Sequence, residues 1–346
     1  MIFEKKILVI QTAFPGDAVL TLPLIQELKR KNPEYLIDVL CIPATVEIFS
    51  ASPHVNTVIS MDKSGEQKSF IAFLKFVNKL KSNHYEIIYS PHRSLRSALI
   101  VLNLSAKESY GFDNSSLKFV FKNIVNYEHT SHEVKRNLNL LKDDYENNKW
   151  AIIPDLVINV ESVRKVQKFI SDNQLKKFIT IAPGSVWETK KYPIEYFEKI
   201  IDHFNNSGYQ IVLIGGLADI NLCKNLEQNS SSNLFVTAGE FSFIDSIELL
   251  KKSSLLICND SAPTHLGVCA DVSVLTIYCS TTPDFGFYPY NSRSSYISYD
   301  NLFCKPCGVH GFNKCPLDTF NCAKFLIPEM VIQKAEALLA NAVSKK

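Results

Sequence analysis

Short apolar, β-branched runs alternate along this chain with longer stretches in which apolar residues return every three or four positions. In the first half the runs fall at 7–10, 37–42, 57–60 and 86–90, and the longer stretches at 17–31, 67–82 and 94–104. The stretch 67–82 sets Phe70, Phe73, Leu74, Val77 and Leu80 on one stripe, with Lys75, Lys79 and Lys81 off it. That period predicts an amphipathic helix, whereas a short apolar run bounded by polar residues predicts a strand. The rhythm resumes later, with strands predicted at 178–182, 210–214, 255–258 and 274–278 and helices at 193–206, 219–228 and 262–269. Between the halves the beat is lost near 150–160 and passes into a polar helical stretch at 161–174, which puts a domain break within 147–176. Pro23, inside the first helical pattern, should kink that helix or delay its start. Strands alternating with helices make parallel sheets covered on both faces. The expected fold class is therefore α/β, as two doubly wound domains facing a central cleft. Ligands in such sheets bind beyond the carboxyl ends of the strands.

Composition narrows the function classes. A chain of 346 residues suits about two domains. With 46% hydrophobic and 21% charged residues it is neither disordered nor a bundle of membrane spans. A formal net charge of +2 leaves no footprint for nucleic acid. Lysine groups such as Lys29 to Lys31 and Lys176 with Lys177 read as solvated helix faces and ends. The first apolar run is strand-length and follows Glu4, unlike a secretory signal. No stretch offers the ~18 uninterrupted apolar residues of a spanning helix. The expected location is the cytoplasm, where the nine cysteines stay mostly reduced.

Three loops after predicted strands hold the chemistry. In the first, Gly16 lets the backbone turn and Asp17 opens the following helix. Asp17 is either a helix cap or a general base for an acceptor hydroxyl. That loop lacks the GxGxxG pattern of dinucleotide binders. The second runs from Pro183 to Pro193, where Gly184 permits close backbone approach, Ser185 and Thr189 can donate hydrogen bonds, and Lys190 can supply charge to a phosphate. A polar surface loop before a helix-start proline explains it equally well. The third loop is Asn259-Asp260-Ser261-Ala262-Pro263-Thr264-His265. Free amides at such a helix start form an anion site. Asp260 repels phosphate and reads better as a loop-shaping cap, or as a partner for a sugar hydroxyl or cation. His265 either touches phosphate or is structural. No D-x-D metal motif occurs.

Together the segments ILVIQTAFPGDAVLTLPLIQELK, IAPGSVWETKKYP and LLICNDSAPTHLGVCADVSVLTIY resemble glycosyltransferase family 9, the ADP-heptose:lipopolysaccharide heptosyltransferases and their relatives. The likeness runs over nearly the whole chain. It implies a GT-B fold of two Rossmann-like domains: an acceptor-binding one at 1–160, with a terminal helix at 328–343 packing back on it, and a nucleotide-sugar-binding one at 175–325. It implies an inverting, metal-independent transfer of a sugar, heptose from ADP-heptose being favoured, onto a lipopolysaccharide core or related envelope glycolipid at the inner membrane surface. Under this resemblance Asp17 is the base. Ser185 and Lys190 face the donor phosphates, and Asp219 in IGGLAD faces the ribose. Asp260, Ser261, Thr264 and His265 fall in the donor motif. Ala262 departs from the family's usual glycine and puts the sugar's identity in question. The rival readings are a nucleotide-sugar 2-epimerase and a non-catalytic nucleotide-sugar-binding relative.

No cofactor is required on this reading. Cys304, Cys307, Cys315 and Cys322 lie in one short Pro- and Gly-containing stretch, and four thiols with a CxxC can make a structural zinc site. Reduced packing thiols are the competing expectation.

Overall fold

The computed structural model describes residues 4–230 and 234–343. The chain divides into two compact units, Met1–Val157 and Ile158–Lys346. In the first, β1 (Lys6–Ile10), α1 (Pro15–Lys31), β2 (Leu36–Cys41), α2 (Val46–Ser50), β3 (Thr57–Ser60), α3 (Phe70–Lys81), β4 (Ile87–Ser90), α4 (Leu95–Leu104), β5 (Glu108–Phe112), β6 (Asn123–Val125) and α5 (Glu133–Asn139) follow one another. In the second the order is α6 (Val160–Asp172), β7 (Phe178–Ala182), α7 (Ile194–Asn206), β8 (Gln210–Leu213), α8 (Ile220–Asn229), β9 (Leu234–Val236), α9 (Phe243–Leu250), β10 (Leu256–Asn259), α10 (Ala262–Cys269), β11 (Val274–Tyr278), β12 (Ser295–Ser298), α11 (Asn321–Lys324) and α12 (Pro328–Val343).

Each unit has a six-stranded sheet, ordered β3-β2-β1-β4-β5-β6 and β12-β11-β10-β7-β8-β9. All pairings are parallel. The same doubly wound order therefore occurs twice, and in each sheet the winding reverses between the first strand and the fourth, β1/β4 and β7/β10. The central strands are apolar throughout: β7 and β11 are buried at every position, as a strand covered on both faces must be. The core of the second unit packs Ile179, Ile181, Phe197, Ile200, Leu213 and Ile257 between sheet and helices.

Several helices start where a side chain satisfies a free amide. Ser69, Ser94 and Asn159 accept from the third residue beyond, and Ser242 forms a reciprocal box with Asp245. Pro23 does not delay α1, which starts at Pro15 and carries Pro23 inside it. Val331 and Ala335 of α12 are buried in the core of the second unit. Among the described residues no helix is long and apolar enough to cross a membrane.

Candidate active site

In the second unit the loops after β7 and β10 meet at the switch point. Asn259 ends β10, fully buried, with both ends of its amide engaged. Its Nδ2 donates to the Pro183 carbonyl at 2.7 Å, and its Oδ1 accepts from the Tyr192 amide at 3.0 Å. One side chain thus pins both ends of the 183–192 loop to the strand beside it. Lys190 on that loop puts its Nζ 2.6 Å from Oδ2 of Asp260, and the Thr281 hydroxyl donates to the same oxygen at 2.7 Å. The ammonium is therefore fixed at the carboxyl edge of the sheet with N–H bonds left for a further acceptor. Beside it α10 begins at Ser261, whose side chain makes no cap, so the positive end of the helix is left open. Ala262 is half-buried at the first helical position.

His265 is buried in the first turn of α10, and no partner for its Nδ1 is found. Burial, then the nearby Lys190 charge, holds its pKa down at about 3, so the ring is neutral at physiological pH. Gly184 is buried under Asp219: a Cβ there would come within 2.1 Å of the Asp219 carboxylate. That carboxylate accepts from the Gly216 amide at 2.9 Å, which closes the turn after β8. Ser185 is half-buried on the 183–190 loop.

Two residues expected in the donor site, Thr189 and Thr264, have their hydroxyls engaged within the protein. Thr189 is 3% exposed; its Oγ1 accepts from the Phe312 amide at 2.8 Å and from the Ser280 hydroxyl at 3.0 Å, while its own amide donates to Phe312 O at 3.0 Å. It anchors the 304–312 segment. Thr264 lies inside as well, sharing a hydrogen bond with Thr276 at 3.0 Å. The Cys322 thiol has Cys307, Cys315 and Cys304 as electrostatic neighbours, so the four cysteines of the expected cluster lie near one another. Among the described residues no group of three or more His, Cys, Asp or Glu is arranged to hold a metal ion. The Cys307 thiol turns to the Cys304 carbonyl at 3.5 Å, and Cys322 is buried on α11.

In the first unit the carboxyl edge of β1 and β4 carries Asp17. It sits in the first turn of α1, whose cap position is Phe14, and its carboxylate hydrogen-bonds to the backbone of Phe14 and of Asp17 itself, so it serves the helix start without being the cap residue; Gly16 is already helical. Burial raises the Asp17 pKa to about 6, the Glu133 carboxylate adds to the rise, and backbone hydrogen bonds and Arg93 oppose it. Glu133 is held by buried Arg136 at 2.8 Å and by the Tyr127 hydroxyl at 2.9 Å. The Arg93 guanidinium lies 4.0 Å over the Tyr127 ring. His92 shares Nδ1 with the Thr12 and Ser97 hydroxyls, each at 2.9 Å, and burial lowers its pKa to about 4. Lys63 Nζ donates to the Thr12 carbonyl. The sequence reading missed Lys63, His92 and Arg93. The available signal was that His92 and Arg93 directly follow a strand beside β1 in a doubly wound sheet.

These two edges carry a partly buried carboxylate whose proton affinity is tuned towards neutrality and an anion-suited ammonium beside an open helix start. The family model described as glycosyltransferase family 9 (heptosyltransferase) matches residues 73–315. Lipopolysaccharide heptosyltransferase 3 of Escherichia coli strain K12 is 26% identical over 284 residues, which covers 78% of this chain and 80% of that protein. The structure of a family 9 glycosyl transferase from Veillonella parvula superposes with a TM-score of 0.85 at 21% identity, covering 99% of both chains. That of E. coli ADP-heptose lps heptosyltransferase II gives 0.79 at 20% identity over 97% of this chain and 99% of that one. The fold is thus GT-B, and with the family match spanning more than half of its length, this chain belongs to glycosyltransferase family 9 and is a glycosyltransferase.

Proposed function

We propose that the chain transfers a heptosyl group from ADP-heptose to a hydroxyl of a lipopolysaccharide core, with inversion at the anomeric carbon. The observation that carries the donor half is Lys190, fixed by Asp260 and Thr281 beside the open start of α10. An ammonium and oriented amides in that arrangement stabilise a departing diphosphate. Asp17 takes the acceptor proton as the hydroxyl oxygen bonds to the anomeric carbon and the bond to the diphosphate breaks, releasing ADP. A carboxylate with a pKa near 6 is a far better base than a free aspartate and is still ionised at neutral pH. The sugar and acceptor are taken from the relatives, whose names specify heptose and lipopolysaccharide.

On this reading the lipid-linked acceptor calls for a peripheral contact with the inner face of the cytoplasmic membrane. Phe70, Ile71 and Phe119 are 64%, 70% and 76% exposed, and Lys68, Lys118 and Lys122 stand beside them in the sequence. Apolar side chains flanked by cations suit an anionic lipid surface.

Calorimetry with ADP, UDP, GDP and CMP tests the donor. Selective ADP binding that weakens ~10–100-fold in Lys190→Ala is expected, the equivalent of one charge-assisted contact. Equal binding of all four nucleotides, or an unchanged Lys190→Ala, overturns the assignment.

A further inference from the structure

Trp187 is one of two tryptophans in the chain and lies outside the core of its unit. It stands on the nucleotide loop between Ser185 and Lys190, and the turn is closed by the Lys190 amide donating to the Trp187 carbonyl at 3.0 Å. Its neighbour Val186 is 74% exposed, so this part of the loop forms a lip at the surface. The indole does not hang free there. The His310 imidazole packs near-parallel to it, with ring centroids 6.1 Å apart and planes 22° from each other.

His310 comes from more than a hundred residues further on, and its position is held from several directions. Immediately after it, Gly311 has a φ of +78°, and a Cβ there would lie 2.9 Å from Thr189 Oγ1 and 3.4 Å from Lys190 Cγ. Phe312 then pairs through its amide and carbonyl with Thr189, and Cys307 donates to the Ser280 carbonyl at 2.8 Å. The contacts that hold His310 against the indole therefore also hold the turn that carries Lys190. An aromatic face so fixed is a preorganised surface with little conformational entropy left to lose on binding.

We propose that Trp187, backed by His310, is a stacking platform for the glycosyl group of the donor. The C–H bonds on one face of a sugar ring are apolar and weakly positive, and they pack on the negative face of an indole. Sugar and nucleoside leave a diphosphate held by Lys190 from opposite ends; with the ribose assigned to Asp219 beside Gly184, the sugar falls to the Trp187 end of the loop. The platform thus distinguishes a glycosylated nucleotide from a bare one. This inference rests on the donor assignment made above. Trp187 touches substrate in it, and His310 is a positioning residue.

The test compares ADP with ADP-heptose by calorimetry on wild type, Trp187→Ala, Trp187→Phe and His310→Ala. Trp187→Ala should lose ~10-fold in affinity for ADP-heptose while ADP binding stays within about twofold. Trp187→Phe should recover most of the loss, and His310→Ala should show a smaller loss of the same selectivity. In a Trp150→Phe background the remaining tryptophan fluorescence comes from Trp187, and ADP-heptose but not ADP should change it. Equal losses for both ligands in Trp187→Ala would make the indole a nucleotide contact and overturn the platform, as would no loss for either. A wild-type protein that binds neither ligand would instead overturn the donor assignment, and the platform with it.

Discussion

At Asp17, the proposed base, a single pKa bears on stability and on the proposed reaction alike. Its pKa, raised mainly by burial to about 6 from 3.8, means that the folded state holds a proton that the unfolded chain has already released. The contribution to stability is full below pH 3.8 and is lost as the pH climbs through 6. Wild type should therefore become less stable relative to Asp17→Asn between pH 4 and 7, by on the order of 2 kcal/mol, measured by urea denaturation at each pH. The catalytic trend runs the opposite way. Turnover should rise with pH to a plateau above 6, and Asp17→Asn should lower kcat by ~10²–10⁴-fold at pH 7.5. Full turnover in the amide variant would remove Asp17 from the reaction. Thr281 belongs to the same scale: Thr281→Val removes one donor from the Asp260 carboxylate and should weaken ADP binding several-fold without abolishing it.

At the scale of elements, loops gain precision from single buried staples. Asn259 joins the end of β10 to Pro183 and Tyr192 across the 183–192 loop, with no exposed surface of its own. Asn259→Ala leaves a buried carbonyl and a buried amide without partners and should destabilise the second unit by about 2–4 kcal/mol, seen as a lowered Tm. The elements also show how far the pattern of apolar positions reached. Runs such as FITIA and VLTIY read as strands because burial on both faces demands apolar residues throughout. β5, with Glu108 and Gly111, and the three-residue β6 and β9 carry too little pattern to be seen. Asp260 and Lys190 were legible as candidates because each sits in a loop directly after a strand. The inward turn of Thr189 was not, since its partners lie at Ser280 and Phe312. Neither was the pairing of Trp187 with His310, for the same reason.

For the molecule as a whole, the same strand order carries two different sets of side chains at its switch points. One unit places a carboxylate at its switch point and the other an ammonium and an open helix start. Binding of the whole protein to vesicles should follow the exposed apolar residues of the first unit. Cosedimentation with vesicles rich in phosphatidylglycerol should fall in Phe70→Ser/Ile71→Ser and at high salt, and retention at wild-type levels would move the contact elsewhere. The 304–312 segment adds a dimension of time. The turn holding Lys190 is braced by Gly311 and Phe312, which the ribosome adds more than a hundred residues later. A nascent chain halted before Phe312 would already possess β7, β10 and the start of α10 yet lack the brace behind the loop proposed to hold the donor. Donor binding should therefore arrive late in synthesis, after most of the second unit has emerged, and ligand cannot help the growing chain to fold until then.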